Sequence, residues 1–276
     1  MRRWVWVVSI AFLIAACGGT TKSELKPKPL TAEDHFRLAF EAAERGNLEE
    51  AITEYEAGLK MEPKNIKARL NLGVAYGRLG KYKKEISEYK SVIRQDPNRV
   101  EAYFNMGVSY SARGQLKEAI PHYKKALTLD PNYIEARTNL GNIYFRQNKL
   151  DDALEEYQKT VEINPRYARG YYNIGNVQRL KGNVDEAIAS FQKALEINPR
   201  YAEAHYNLAV IYYERKNYPL AIQHCDQAGK LGIVVDPKFL ELLKPHRAEG
   251  AKKDIPQKES APKEVPLKET PGFIFR

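Results

Sequence analysis

Apolar residues recur along this chain on two scales: with helical spacing inside short segments, and at a constant offset of 34 residues between segments. In residues 134–167, Leu140, Gly141 and Tyr144 share one face of a first amphipathic segment; after a polar break at Gln147–Lys149, Ala153 and Tyr157 share one face of a second. Pro63, Pro97, Pro131, Pro165 and Pro199 stand 34 residues apart and close each pair. The pattern predicts units of two short helices at 32–65, 66–99, 100–133, 134–167, 168–201 and 202–235. One such unit cannot bury its own apolar faces, so copies must stack.

The order Leu-Gly-x2-Tyr, then Ala-x3-Tyr or Phe, then Pro, at this period resembles the tetratricopeptide repeat. The resemblance implies an all-α fold: a right-handed α-solenoid of six helix-turn-helix repeats. After repeat six the closing proline is replaced by Ile233, and Asp236-Pro237 opens a further apolar segment with Phe239, Leu240, Leu242 and Leu243. Residues 236–247 are expected to form a capping helix over the last apolar face.

Within the repeats, Gly73, Gly107, Gly141 and Gly175, with Ala209 in repeat six, mark a site where helices approach closely. Ala51, Ala119, Ala153, Ala187 and Ala221 mark the matching site on the second helices, where repeat two instead carries Glu85. A carboxylate there is costly unless it reaches solvent, Lys81 or Lys84, so that repeat is expected to be locally loose. Pro121 is placed near the first turn of its helix, and Thr31 with Asp34 forms a capping pair before the first. Cys225 occupies a tyrosine position and reads as a small buried hydrophobe.

The ends differ in kind. Residues 1–16 combine Arg2-Arg3, an apolar run from Trp4 to Leu13 and a small-residue exit at Ala15-Ala16, as a signal peptide does. Ile14-Ala15-Ala16-Cys17 resembles a bacterial lipobox, which implies lipid attachment at Cys17, a membrane anchor and the periplasmic face of an outer membrane. Residues 17–31 read as a flexible tether, and 248–276, rich in Lys, Glu and Pro, as a disordered tail. Its apolar end, Gly272-Phe273-Ile274-Phe275-Arg276, reads as a frayed terminus in preference to a docking motif.

Lys and Arg exceed Asp and Glu by 44 to 35, yet the two signs interleave along every repeat, so nucleic-acid binding is not expected. No nucleotide loop, nucleophile elbow or metal-ligand spacing is present; His205, His224 and Cys225 read as packing residues. No cofactor, metal, small-molecule substrate or enzymatic activity is expected.

One ladder remains. Asn71, Asn105, Asn139, Asn173 and Asn207 each stand two residues before the small Gly or Ala position, on the first helix and towards the concave groove. An amide offers a donor and an acceptor together, which suits the backbone of an extended peptide. The arrangement is similar to the asparagine ladder in the repeat superhelix of O-linked N-acetylglucosamine transferases; pairing of these asparagines with a neighbouring helix is the alternative. Asn142, Asn176, Arg169, Tyr172, Arg179 and Tyr206 are expected to extend the site into a polar, basic patch, with Phe36, Leu70 and Phe104 lining the amino-terminal part. The implied function is a membrane-anchored scaffold that grips a partner segment, as in pilotins of type IV pilus secretins. An adaptor for peptidoglycan, glycosyltransferase or secretion machinery acting through its convex face is the other reading.

Overall fold

A computed structural model describes residues 29–250, with side chains to 247. The expected signal peptide, Cys17 and the tail from 251 lie outside the described residues. Those described form thirteen α-helices and no strand. The first helices of the repeats are α1 (Ala32–Glu44), α3 (Ile66–Arg78), α5 (Val100–Ala112), α7 (Ile134–Arg146), α9 (Ala168–Leu180) and α11 (Ala202–Glu214). The second helices are α2 (Leu48–Met61), α4 (Tyr82–Gln95), α6 (Leu116–Leu129), α8 (Leu150–Ile163), α10 (Val184–Ile197) and α12 (Tyr218–Lys230), and α13 (Pro237–Gly250) ends the array. Each helix packs on its neighbours in sequence, which is the contact pattern of a solenoid.

Local chemistry sets these boundaries. Thr31 and Asp34 form a reciprocal capping box: the Thr31 hydroxyl accepts from the Asp34 amide at 3.2 Å, and the Asp34 carboxylate accepts from the Thr31 amide at 3.0 Å. Between the paired helices of each repeat one residue adopts positive φ, at Gly46, Gly80, Gly114, Asn148, Gly182 and Lys216. The amide after it returns to a carbonyl five residues earlier, as Lys149 does to Tyr144 at 2.9 Å and Asn217 to Tyr212 at 2.8 Å. This left-handed turn satisfies the last carbonyls of the first helix and reverses the chain. Between repeats, the residue before each proline is forced out of the helical region, as at Asp130 (φ −133°, ψ 95°), and the second helix stops there.

A polar clasp recurs with the same period. Arg69 bonds Glu88 at 2.8 Å and the Pro63 carbonyl at 2.9 Å, and Arg137 bonds Glu156 at 2.8 Å and the Pro131 carbonyl at 2.6 Å. Repeat one uses His35 and Glu54 at 2.6 Å. In repeat six both partners are imidazoles, with the Nδ1 atoms of His205 and His224 2.8 Å apart and His205 Nε2 3.2 Å from the Pro199 carbonyl. Since a carbonyl only accepts, His205 carries its proton on Nε2, and His224 donates from Nδ1. Burial lowers the pKa of both rings, that of His224 to about 4.

Aromatic rings fill the space between the helices of a pair. A Cβ placed on Gly73, Gly107, Gly141 or Gly175 would come within 2.7 Å of the ring of Tyr89, Tyr123, Tyr157 or Phe191. Glycine at this site therefore answers to an aromatic ring. The last core cluster runs through repeats five and six into α13, where Phe239 and Leu243 are fully buried and Leu240 and Leu242 stay exposed. Phe239 meets Tyr206 and Tyr213 edge-on, with centroids 6.0 and 5.6 Å apart.

Two expectations change. Glu85 is 6% exposed, and its partner is neither Lys81 nor Lys84; the Ser109 hydroxyl of the next repeat donates to it at 2.7 Å. Burial raises the Glu85 pKa, and the Ser109 bond opposes the rise, so the carboxyl joins repeats two and three at a site expected to be loose. Pro121 is the sixth residue of α6, past the first turn, on an exposed face where the carbonyl it leaves unbonded can take water.

Candidate peptide-binding groove

The first helices lie side by side along the array, and α3 also touches α5 across the repeat boundary. Two rows of residues follow their common face. The first row is Arg37, Asn71, Asn105, Asn139, Asn173 and Asn207, and the second, one turn on, is Phe40, Val74, Val108, Asn142, Asn176 and Val210. The rows change character along the solenoid. Phe40, Val74 and Val108 are 55%, 43% and 39% exposed, an apolar stripe on the surface of repeats one to three. Asn71, Asn105 and Asn139 beside it are half-buried.

Two hollows open along this part. One of about 270 Å³ lies among Phe36, Phe40, Tyr55, Ala68 and Asn71, with Glu33, Arg37 and Lys67 at its edge. The other, about 300 Å³, lies among Val108, Ser111, Tyr123, Asn139, Asn142 and Arg146. Their shared positions are two repeats apart: Tyr55 and Tyr123, Asn71 and Asn139, Phe40 and Val108. Burial pushes the Tyr55 phenol up and the bonded Asn71 amide pulls it back; at Tyr123 burial is opposed by Ser111 and Asn139. The Tyr157 hydroxyl donates to Asn142 Oδ1 at 2.7 Å. Asn71, Asn139 and Asn142 are thus each oriented by a tyrosine at the groove floor.

The carboxy-terminal part is closed. Asn173, Asn176 and Asn207 are 7%, 6% and 0% exposed, and Tyr172 and Tyr206 are buried beside them. Asn207 Nδ2 donates to Asn176 Oδ1 at 2.9 Å and lies 3.5 Å from the Tyr172 hydroxyl. Tyr172 packs against Tyr201, Tyr206 packs against Phe239 of the cap, and Arg179 is paired with Glu214 at 2.6 Å. Of the expected basic patch, Arg169 alone is exposed. The expected open ladder therefore divides: Asn71, Asn105 and Asn139 face an accessible surface, Asn207 belongs to an internal network with Asn176 and Tyr172, and Asn173 is buried with its Nδ2 unpartnered.

The expected apolar lining is also displaced. Leu70 is buried in the core of repeats two and three, Phe104 packs on Tyr123 and Tyr133, and only Phe36 borders a hollow. The exposed stripe lies four residues further along each helix. The signal was present in the sequence, because Phe40, Val74 and Val108 sit three residues after Arg37, Asn71 and Asn105 on the same helical face. Cys225 is buried, and burial raises its thiol pKa. No cluster of three or more metal-ligating side chains occurs among the described residues, and none of their helices is long and apolar enough to cross a membrane.

The TPR repeat family model matches residues 42–80, 109–148, 141–180 and 178–216, and further tetratricopeptide-repeat models match 66–99, 88–120 and 202–232. No curated protein matches the chain in sequence. Among solved structures, MamA is 32% identical over 60% of this chain and 96% of its own, with a TM-score of 0.54. YrrB, described as a TPR protein with an unusual peptide-binding site, is 21% identical over 70% of this chain and 97% of its own, TM-score 0.54. PilF of Pseudomonas aeruginosa is 17% identical over 79% and 97%, TM-score 0.64, a likeness of fold alone. With its helix pairs, proline-closed turns and glycine-to-ring contacts at one 34-residue period, the chain belongs to the tetratricopeptide-repeat family, whose solenoids are protein-interaction scaffolds.

Proposed function

We propose that this protein is a non-enzymatic scaffold that grips an extended segment of a protein partner in the groove of repeats one to four. The observation that carries the reading is the exposed stripe Phe40–Val74–Val108 running beside Asn71, Asn105 and Asn139. Exposed apolar side chains in a row favour a covering partner, and flanking amides satisfy the backbone of whatever covers them. Asn142 spends its Oδ1 on Tyr157 and keeps its Nδ2 donors for a guest carbonyl. The peptide-binding site of YrrB is consistent with a groove of this kind. The guest has apolar side chains at intervals along an extended backbone and needs no fixed charge, since Glu33, Arg37 and Lys67 together border the first hollow.

The lipobox-like run ending in Cys17 extends this reading to a lipid anchor in a bacterial envelope, where the groove would gather a partner at the periplasmic face of the outer membrane during assembly of an envelope complex, in the manner of a pilotin. Two experiments test the two halves. Capture from detergent-solubilised host envelope should retain a protein set that Val74→Asp and Asn139→Ala lose while their helical circular dichroism is unchanged; unchanged capture would refute the groove. Labelled palmitate should enter the wild type and be absent from Cys17→Ser; absence from both would refute the anchor.

A further inference from the structure

The chain itself contains a segment with the chemistry this groove selects. Beyond Gly250 it runs through Pro256, Pro262, Pro266 and Pro271 to Gly272-Phe273-Ile274-Phe275, three consecutive apolar side chains after a polar stretch in which Lys252, Lys253, Lys258, Lys263 and Lys268 alternate with Asp254, Glu259, Glu264 and Glu269. A run of this kind has nothing around it with which to build a core. The exposed stripe on α1, α3 and α5 is the counterpart it lacks.

We propose that Phe273-Ile274-Phe275 docks in cis on the Phe40–Val74–Val108 stripe, occupying the groove until a partner segment displaces it. The inference rests on the groove reading above and names what regulates that site. Reach permits it. From Gly250 to Phe273 is 273 − 250 = 23 residues, and a proline-rich stretch of that length spans about 70 Å at 3.1 Å per residue. Repeat two lies four repeats back from repeat six, about 40 Å at the 8–10 Å spacing of packed helices. An extended strand of three apolar residues presents the two phenylalanines on one side and Ile274 on the other. The phenylalanines then face the stripe, and the backbone lies beside Asn71 and Asn105. Proline favours extended backbone, which suits a spacer, and the mixed charges of the connecting stretch, five Lys against four carboxylates, give it little reason to adhere elsewhere on a surface of interleaved signs. The closed carboxy-terminal end, where Asn207 and Asn176 bond each other, directs the segment past repeats five and six to the open part.

A second copy's groove is the competing destination, and concentration separates the two. A tether of this length holds its end at about millimolar effective concentration, so an intrinsic affinity of about 100 µM leaves the groove roughly nine-tenths occupied in cis. The probe is a fluorescein-labelled peptide of sequence Lys-Glu-Thr-Pro-Gly-Phe-Ile-Phe-Arg, titrated into the full chain and into the full chain carrying Phe273→Ser and Phe275→Ser. The tail variant should bind the peptide about tenfold more tightly than the wild type, and Val74→Asp in the tail variant should abolish binding. Val108→Ser, a milder change at an exposed site, should weaken it if Val74→Asp disturbs folding. Equal affinity of the two chains would overturn docking in cis. So would elution of the wild type as a dimer that dissociates on dilution. No binding to the tail variant would overturn the tail as occupant; if Val74→Asp still lost envelope partners in that case, the groove reading would stand without it.

Discussion

At the scale of single residues, the turn between paired helices demands a left-handed conformation, and four of its six positions are glycine, the others Asn148 and Lys216. Asparagine tolerates this region; a lysine does so at a cost of about 1–2 kcal/mol. Lys216→Gly relieves that strain and loses about 0.4–1 kcal/mol to the freer unfolded chain. We expect a net gain of about 0.5–1 kcal/mol, read from the urea midpoint, and a loss would mean that the Lys216 side chain contributes packing not evident here. The reverse test is Gly141→Ala, whose Cβ meets the Tyr157 ring. A cost of about 1–3 kcal/mol is expected from overpacking.

His205 and His224 give a pH dependence at the same scale. Their folded pKa values lie below the ordinary 6.5, His224 near 4, because burial disfavours the charged form of both; a charge on His205 lowers His224 further, while the bond to the Pro199 carbonyl opposes the fall at His205. The stability they contribute is complete above pH 6.5 and is lost as pH falls towards 4. The shift at His224 corresponds to about 3 kcal/mol at full linkage, and partial exposure reduces this to about 1–2 kcal/mol. Replacing the pair by the Arg and Glu found at Arg137 and Glu156 should remove most of the difference between urea midpoints at pH 7 and pH 4.5. An unchanged difference would place the pH sensitivity elsewhere.

At the scale of elements, what the sequence revealed depended on whether the information was local. The helix pairs, their 34-residue beat and the all-α solenoid were legible because apolar spacing, proline and the small residues all lie within one repeat. The left-handed turn was visible only as a polar break, since a lysine and an asparagine occupy it as well as glycine. The partner of Glu85 was not legible: Ser109 is 24 residues away, and nothing local singles it out. The closure of repeats five and six was hidden for a similar reason, because burial of Asn207 and Tyr206 requires α9 and α13 to pack against α11. The identical residue type reads as groove lining in Asn71 and as interior in Asn207. Helix α13 is the decisive element of that closure, and Phe239→Ala should cost about 3–5 kcal/mol, read as an early loss of protection in the amides of α11 and α12 by hydrogen exchange. Uniform loss across all repeats would show that the array melts as one unit.

At the scale of the molecule, the solenoid is asymmetric in a way that its repeat period conceals. Its last two repeats and cap form a continuous core, whereas repeats one to three keep apolar side chains on their surface. The firm end thus anchors the array, and the open end presents the stripe. What sets the open end apart is that Phe40, Val74 and Val108 recur at one position of successive first helices and form a row, and a covering chain accounts for such a row. The most direct measurement is photocrosslinking in host membranes from a benzoylphenylalanine placed at position 74 or 108, with Lys90 on the outer helix α4 as the control site. The account predicts that the two groove sites crosslink to protein segments, the protein's own tail or a partner, while position 90 does not. Crosslinks from position 90 with none from 74 or 108 would contradict it.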